Sequence, residues 1–212
     1  MIKIVIADDH AIVREGLKRI VSAADDMELV GEAADGTEVM ELVRELSFDV
    51  LMLDLSMPGR SGMELIKLVH AEKPKLRILV LSMHQELQYA VRAIKSGASG
   101  YLTKECAPAL LEQAIRKLAG GGAFISAEVA EQLALGAMPG NETLPHESLS
   151  NREFEVFRLL VAGVSVTEIG LRLKLSVKTV SSHKANLTHK MGLQNQSELI
   201  RYALKYGLID AL

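Results

Sequence analysis

Ile2-Lys3-Ile4-Val5-Ile6-Ala7-Asp8-Asp9 is a short aliphatic run that stops at two adjacent carboxylates, and Val50-Leu51-Met52-Leu53-Asp54 repeats that form. Ile78 to Leu81 is a third such run, ending at Ser82, while Glu28 to Ala33 and Gly100 to Leu102 are two weaker ones. Four to six residues suit a strand and are too few for a buried helix. Three of the runs are apolar without alternation, the pattern of strands covered on both faces in a parallel sheet. Between them lie amphipathic stretches whose starts carry capping-box pairs, Asp35 with Glu38 and Ser61 with Glu64. Five strands alternating with five helices predict an α/β fold, a doubly wound parallel sheet with right-handed crossovers.

In such a sheet Asp8, Asp9 and Asp54 emerge together at the carboxyl edge, where ligands of open α/β sheets bind. Crowded carboxylates repel, and a hard divalent cation such as Mg²⁺ relieves that repulsion. Ser82 follows the fourth strand and Lys104 the fifth. A hydroxyl and an ammonium are suitable donors for an anion held beside a metal, a phosphoryl group above all. Taken singly, each Asp is an ordinary turn residue or cap, and Tyr101 an ordinary strand aromatic. The ordered set at successive strand ends gives them a common purpose.

The chain has 212 residues and a formal charge of −3, a length that favours two modest domains and a balance unlike that of a histone. Apolar residues at 49% and charged residues at 24% exclude a disordered or fibrous chain. The single cysteine, Cys106, precludes an intramolecular disulfide and suits a reducing cytosol. No apolar run nears the ~18 residues of a membrane span. Asp8 and Asp9 fall where the apolar core of a signal peptide would have to continue, so none is expected. Residues 1–121 carry a net −3, residues 122–147 hold four acids and no Lys or Arg, and residues 148–212 carry +4. Gly120, Gly121 and Gly122 open the middle segment, and Pro139, Gly140, Asn141 and Pro145 close it. That composition predicts an acidic linker between a 1–121 domain and a smaller all-α domain at 148–212.

The basic segment contains no convincing strand. Ser150 with Glu153, Ser165 with Glu168, Ser176 and Asn195 mark four helix starts. On a helix from about 177 to 191, Val180, Leu187 and Met191 form one inward stripe. Lys178, Ser181, Ser182, Ala185 and His189 then face outward, a surface that fits a major groove. Lys184, Lys190, Arg172, Lys174 and Thr179 flank it and suit a phosphate backbone. Read without regard to ligand, such a module is a solvated bundle that docks on another protein.

Asp8-Asp9, Asp54 followed by Met57-Pro58-Gly59, Ser82 and Lys104, in this order, resemble the receiver domain of two-component response regulators over residues 1 to about 121. Leu149-Ser150-Asn151-Arg152-Glu153, Ser165 to Ile169, Lys178 to His183 and Lys190-Met191-Gly192-Leu193 resemble the LuxR-type helix-turn-helix. Together the chain is similar to NarL/FixJ response regulators along nearly its full length. The resemblance implies a flavodoxin-like sheet of order 2-1-3-4-5, with Asp54 as the phosphoacceptor for a histidine kinase or a small phosphodonor. It implies Mg²⁺ held by Asp9, Asp54 and the Ser56 carbonyl, with Asp8 acting through water. Lys104 would hold a phosphoryl oxygen, Ser82 would move to bond another, and Tyr101 would turn inward as the switch. His84, two residues past Ser82, occupies a position where receivers vary and phosphate loss is tuned.

The same resemblance assigns double-stranded DNA to Lys178, Thr179, Ser181, Ser182, Lys184, Ala185 and Lys190, and pairing of two DNA-binding domains to Leu199, Tyr202, Ala203 and Tyr206. The output expected is phosphorylation-gated transcription regulation by a cytoplasmic homodimer, with RNA polymerase a further partner. The resemblance leaves open whether the resting form masks its recognition helix against the receiver, as some relatives do. Departures from the pattern are Ser181 where relatives often have Lys, Val166-Thr167 where they have Asn-Lys, and Gly170 where they have Ala. A turnover phosphohydrolase is the rival enzyme reading, but it needs an acid two residues after the nucleophile, where Ser56 stands. The same residues also suit a dimerisation platform with vestigial phosphorylation, or a DNA binder that needs no phosphorylation.

Overall fold

The computed structural model describes residues 1–57, 62–83, 87–136 and 144–208. Pro58, Gly59, Ser61, His84, Pro139, Gly140 and Asn141 lie outside the described residues. The chain forms two compact units, Met1–Ala137 and Met138–Leu212.

The first unit holds strands β1 (Ile2–Ala7), β2 (Met27–Ala33), β3 (Val50–Asp54), β4 (Arg77–Ser82) and β5 (Gly100–Thr103), alternating with α1 (Ala11–Ser22), α2 (Gly36–Glu45), α3 (Gly62–Glu72), α4 (Leu87–Lys95) and α5 (Pro108–Ala119). All neighbouring strands are parallel, in the order β2-β1-β3-β4-β5. The continuous apolar runs are covered on both faces: Ile4, Val5, Ile6, Val50, Leu51, Leu53, Ile78, Leu79 and Val80 are all fully buried. Each such side chain contributes roughly 1.5–3 kcal/mol to folding before entropy is charged against it. Asp35 caps α2 by accepting from Thr37 and Glu38 amides. Pairing of Ala7 with Leu53 and of Asp54 with Leu81 brings the ends of β1, β3 and β4 into line. Gly62 opens α3 against the turn after β3, where an added Cβ would lie 2.5 Å from Leu55 Cα. Only glycine lets these two segments approach so closely.

Residues 122–136, the described first part of the expected linker, carry regular structure instead. Phe124 donates to the Ser99 carbonyl, and its own carbonyl accepts from the Tyr101 amide, so it covers the outer edge of β5. A helix follows, α6 (Ala127–Gly136), and Val129 on it is buried against Ala90 and Val91 of α4. Ile125, Leu133 and Tyr101 pack on the same cluster. The apolar spacing Ile125, Val129, Leu133 is a helical stripe, and it outweighs the breaker-rich flanks that suggested a loop.

The second unit has a 3₁₀ turn at Pro145–Ser148, then α7 (Asn151–Val161), α8 (Val166–Leu173), α9 (Val177–Met191) and α10 (Gln196–Lys205). Ser150 and Glu153 form a complete capping box, and Ser165, Ser176 and Asn195 cap α8, α9 and α10. Phe154, Phe157, Leu160, Ile169, Val180, Leu187, Leu199 and Ala203 form its core. The turn from α8 to α9 crosses close over Gly170, where a Cβ would stand 2.9 Å from the Leu175 carbonyl oxygen. A side chain at Gly170 would force that carbonyl to shift. Among the described residues, no helix is long and apolar enough to cross a membrane.

Candidate functional site

At the carboxyl edge of the first unit, Asp8 is 1% and Asp54 2% exposed, each placed there by the last residues of a buried strand. Lys104, one residue past β5, reaches both: its Nζ donates to Asp8 Oδ2 at 2.6 Å and lies 2.9 Å from Asp54 Oδ2. The Ser56 amide donates to Asp54 Oδ1 at 3.2 Å. Ser82 is fully buried at the end of β4, and its carbonyl accepts from the Lys104 amide at 2.9 Å. Arg14 on α1 fixes the same edge by donating to the Asp8 carbonyl oxygen at 2.6 Å.

The electrostatics follow from burial. Removal from water pushes the Asp54 carboxyl above the ordinary carboxylate range, and the nearby Asp8 charge adds to the rise, while Lys104 and the Ser56 amide pull against it. Burial pulls the Lys104 ammonium down, but its contacts with Asp8 and Asp54 outweigh that and raise it. Asp9 Oδ1 and Asp54 Oδ2 are buried oxygens that accept no directed hydrogen bond, although His10 Nδ1 and Lys104 Nζ respectively lie 2.9 Å away. One ligand atom from each of Asp8, Asp9, His10 and Asp54 falls within 4.8 Å of the others. Buried oxygens left without aligned donors, in a set of three carboxylates, fit a divalent cation.

The predicted residues Asp8, Asp9, Asp54 and Lys104 are therefore brought together, with Ser56 and Ser82 adjoining. Tyr101 is half-buried on β5 and belongs to the apolar cluster shared by α4 and α6. His10 escaped the sequence reading, although it directly follows the Asp pair.

The second unit presents a different surface. Val180, Leu187 and Met191 face inward as expected, and Lys178, Ser181, Ser182, Ala185 and His189 are exposed along α9. Thr179 is partly engaged in the cap, its amide and hydroxyl bonding Ser176 Oγ at 3.0 and 2.7 Å. Lys184 is half-buried. Lys190 is held by Glu153 Oε2 at 2.7 Å, so it secures the last turn of α9 to the cap of α7. Burial pushes the Glu153 carboxyl up, but Lys190 and the Ser150 amide overcome it and hold the group below its ordinary range.

Of the four residues expected to pair two copies, Leu199 and Ala203 are fully buried in this unit's own core, which leaves no surface for a partner. Tyr202 and Tyr206 are half-buried with rings 4.6 Å apart, and the Tyr202 hydroxyl lies 2.8 Å from Nδ1 of buried His146. The exposed face of α10 carries Ser197, Arg201 and Leu204 instead.

Residues 4–116 match the response regulator receiver domain, and residues 147–203 match the bacterial regulatory proteins of the luxR family. The oxygen regulatory protein NreC of Staphylococcus aureus is 38% identical over 215 residues, covering 98% of this chain and 99% of NreC. RcsB from Salmonella enterica serovar Typhimurium, solved bound to promoter rprA with the phosphomimetic BeF₃⁻, is 32% identical with a TM-score of 0.62, over 95% of this chain and 98% of that one. A structure of two RcsB dimers bound to two parallel DNAs is 33% identical with a TM-score of 0.58, over 95% of this chain and 96% of that one.

Proposed function

Because the chain belongs to the two-component response regulators of the NarL/FixJ type, transcription regulators with a receiver and a LuxR-type DNA-binding domain, we propose that phosphorylation of Asp54 gates its grip on DNA. The observation that carries the assignment is a carboxylate, 2% exposed at the end of β3, with Lys104 Nζ 2.9 Å away and two further carboxylates inside the same cluster. Residues 1–121 act as the phosphoacceptor unit and residues 148–212 as the DNA-binding unit.

Asp54 attacks the phosphorus of a phosphohistidine on a sensor kinase, or of a small acyl phosphate; an O–P bond forms as the N–P or acyl O–P bond breaks. Asp9, Asp54 and the Ser56 carbonyl would hold Mg²⁺, with Asp8 acting through water, and the ion would supply positive charge to offset that of the transferring phosphoryl group. Lys104 turns its ammonium from the Asp54 carboxylate to one of those oxygens, and Ser82 donates to another. The same groups assist loss of the phosphoryl group to water, so the protein is a self-assisting phosphoacceptor and not a turnover enzyme. Tyr101 turning inward leaves the cluster it shares with Val129 and Leu133, which links the site to α6.

Duplex DNA is the output partner, met by the exposed α9 face through Lys178, Ser181, Ser182 and Ala185, with Thr179 and Lys184 at its margin. The RcsB complexes support both DNA binding and pairing of copies. We assign homodimerisation to the phosphorylated or DNA-bound form, RNA polymerase to the further partners, and the cytoplasm to the place where kinase and DNA meet the protein. Incubation with acetyl phosphate and Mg²⁺, followed by peptide mass spectrometry, tests the assignment: one phosphoryl group on Asp54 supports it, and modification elsewhere or none defeats it.

A further inference from the structure

Beside the clustered carboxylates stands a nitrogen donor that has no part in the phosphoryl chemistry. We propose that His10 is a direct ligand in the cation site, giving this receiver a first-row transition ion such as Co²⁺ or Zn²⁺ as a second occupant alongside Mg²⁺. The inference rests on the metal reading of Asp8, Asp9 and Asp54.

Position is the first argument. His10 Nδ1 lies 2.9 Å from Asp9 Oδ1 and 3.3 Å from Asp8 Oδ1, and it completes the group of four ligand atoms within 4.8 Å. The main chain holds it there: the His10 amide donates to Asp8 Oδ1 at 2.8 Å, in an extended conformation (φ −91°, ψ 106°) just before α1. A polar residue at that point ordinarily caps its helix, yet the His10 side chain makes no capping bond. Its ring is turned to the carboxylates instead. At 64% exposed, its ring has room to rotate toward an ion.

Donor chemistry is the second. Three carboxylates alone describe a hard oxygen site of the kind Mg²⁺ accepts, whereas an imidazole suits Zn²⁺, Co²⁺ and their neighbours. The aligned-donor deficit at Asp9 Oδ1 is on the carboxylate oxygen that His10 faces. An ion seated between that oxygen and Nδ1 converts a contact into shared coordination. The competing account is that His10 only orients Asp8 and Asp9 by hydrogen bonding, outside the coordination sphere. That account predicts equal effects of its removal on both ions.

The test uses the full chain stripped of metal, with Co²⁺ and Mg²⁺ affinities from titration calorimetry and ¹H NMR of the Co²⁺ form. Direct ligation predicts paramagnetically shifted imidazole ring signals in the wild type that vanish in His10→Ala. It also predicts that this variant weakens Co²⁺ by about tenfold or more while changing Mg²⁺ by less than about twofold. Absence of the shifted signals, or equal weakening of both ions, overturns the proposal. Asp9→Asn separates the two levels. If it abolishes binding of both ions while His10→Ala leaves both intact, only the role of His10 fails. If the wild type binds neither ion, the metal reading falls with it.

Discussion

Lys190 on the last turn of α9 points its ammonium at Glu153, 2.7 Å from Oε2, and Glu153 in turn closes the capping box of α7 by accepting from the Ser150 amide. One carboxylate thus satisfies a helix terminus and anchors the recognition helix, and the lysine that meets it is committed to the fold. Lys178, at the opposite end of α9, is exposed and forms no ion pair among the described residues. The two lysines are therefore predicted to behave differently. Lys178→Ala weakens binding about equally on all duplexes and lowers the slope of log affinity against log salt by about one. Lys190→Ala leaves that slope within error and instead lowers stability of the second unit by about 1 kcal/mol. Salt-dependent fluorescence anisotropy and urea unfolding distinguish these outcomes.

The same carboxylate makes the second unit sensitive to acid. Glu153 is held below its ordinary value in the folded state, so its stabilisation is complete above about pH 4.5 and drains away as pH falls through the folded value. Glu153→Gln retains the capping acceptor and removes the titration. Wild type is predicted to lose stability faster than the variant as pH drops from 5 to 3, and to exceed it at pH 7. Parallel melting curves across that range contradict the assignment.

Val129 carries a third prediction. It is the buried residue of α6, in the cluster against which Tyr101 packs. Val129→Ala is expected to cost about 2 kcal/mol and loosen α6 from α4. Phosphoryl incorporation at Asp54 proceeds at the wild-type rate, while the change in DNA affinity that follows it is largely lost. Slowed incorporation with coupling intact refutes the role given to α6.

What could be read from the sequence, and what could not, divides along physical lines. The strands were legible because Ile4 to Ala7, Val50 to Leu53 and Ile78 to Leu81 are apolar on both faces, and their ends deliver Asp8, Asp9, Asp54, Ser82 and Lys104 to one edge. Helix starts at Asp35, Ser150, Ser165, Ser176 and Asn195 were equally plain, since capping is a local interaction. Helix α6 was obscured because Gly120 to Gly122 and the absence of basic residues drew attention from the stripe of Ile125, Val129 and Leu133. Leu199 and Ala203 share the periodicity of any apolar face, which does not say whether the face meets its own core or a second copy; the fold buries both. Lys190 pairs with a residue 37 positions away and His146 with one 56 away, contacts that no local pattern announces.

The claim on which the account turns is that charge placed on Asp54 changes how tightly α9 holds a duplex. Anisotropy with operator DNA, with and without acetyl phosphate and Mg²⁺, measured on wild type and on Asp54→Asn, tests it most directly. The account predicts at least about a fivefold gain in affinity on phosphorylation for the wild type, the lower range of a coupling between sites, and none for Asp54→Asn. Equal affinity for phosphorylated and unphosphorylated wild type, with the phosphoryl group verified on Asp54, would contradict it.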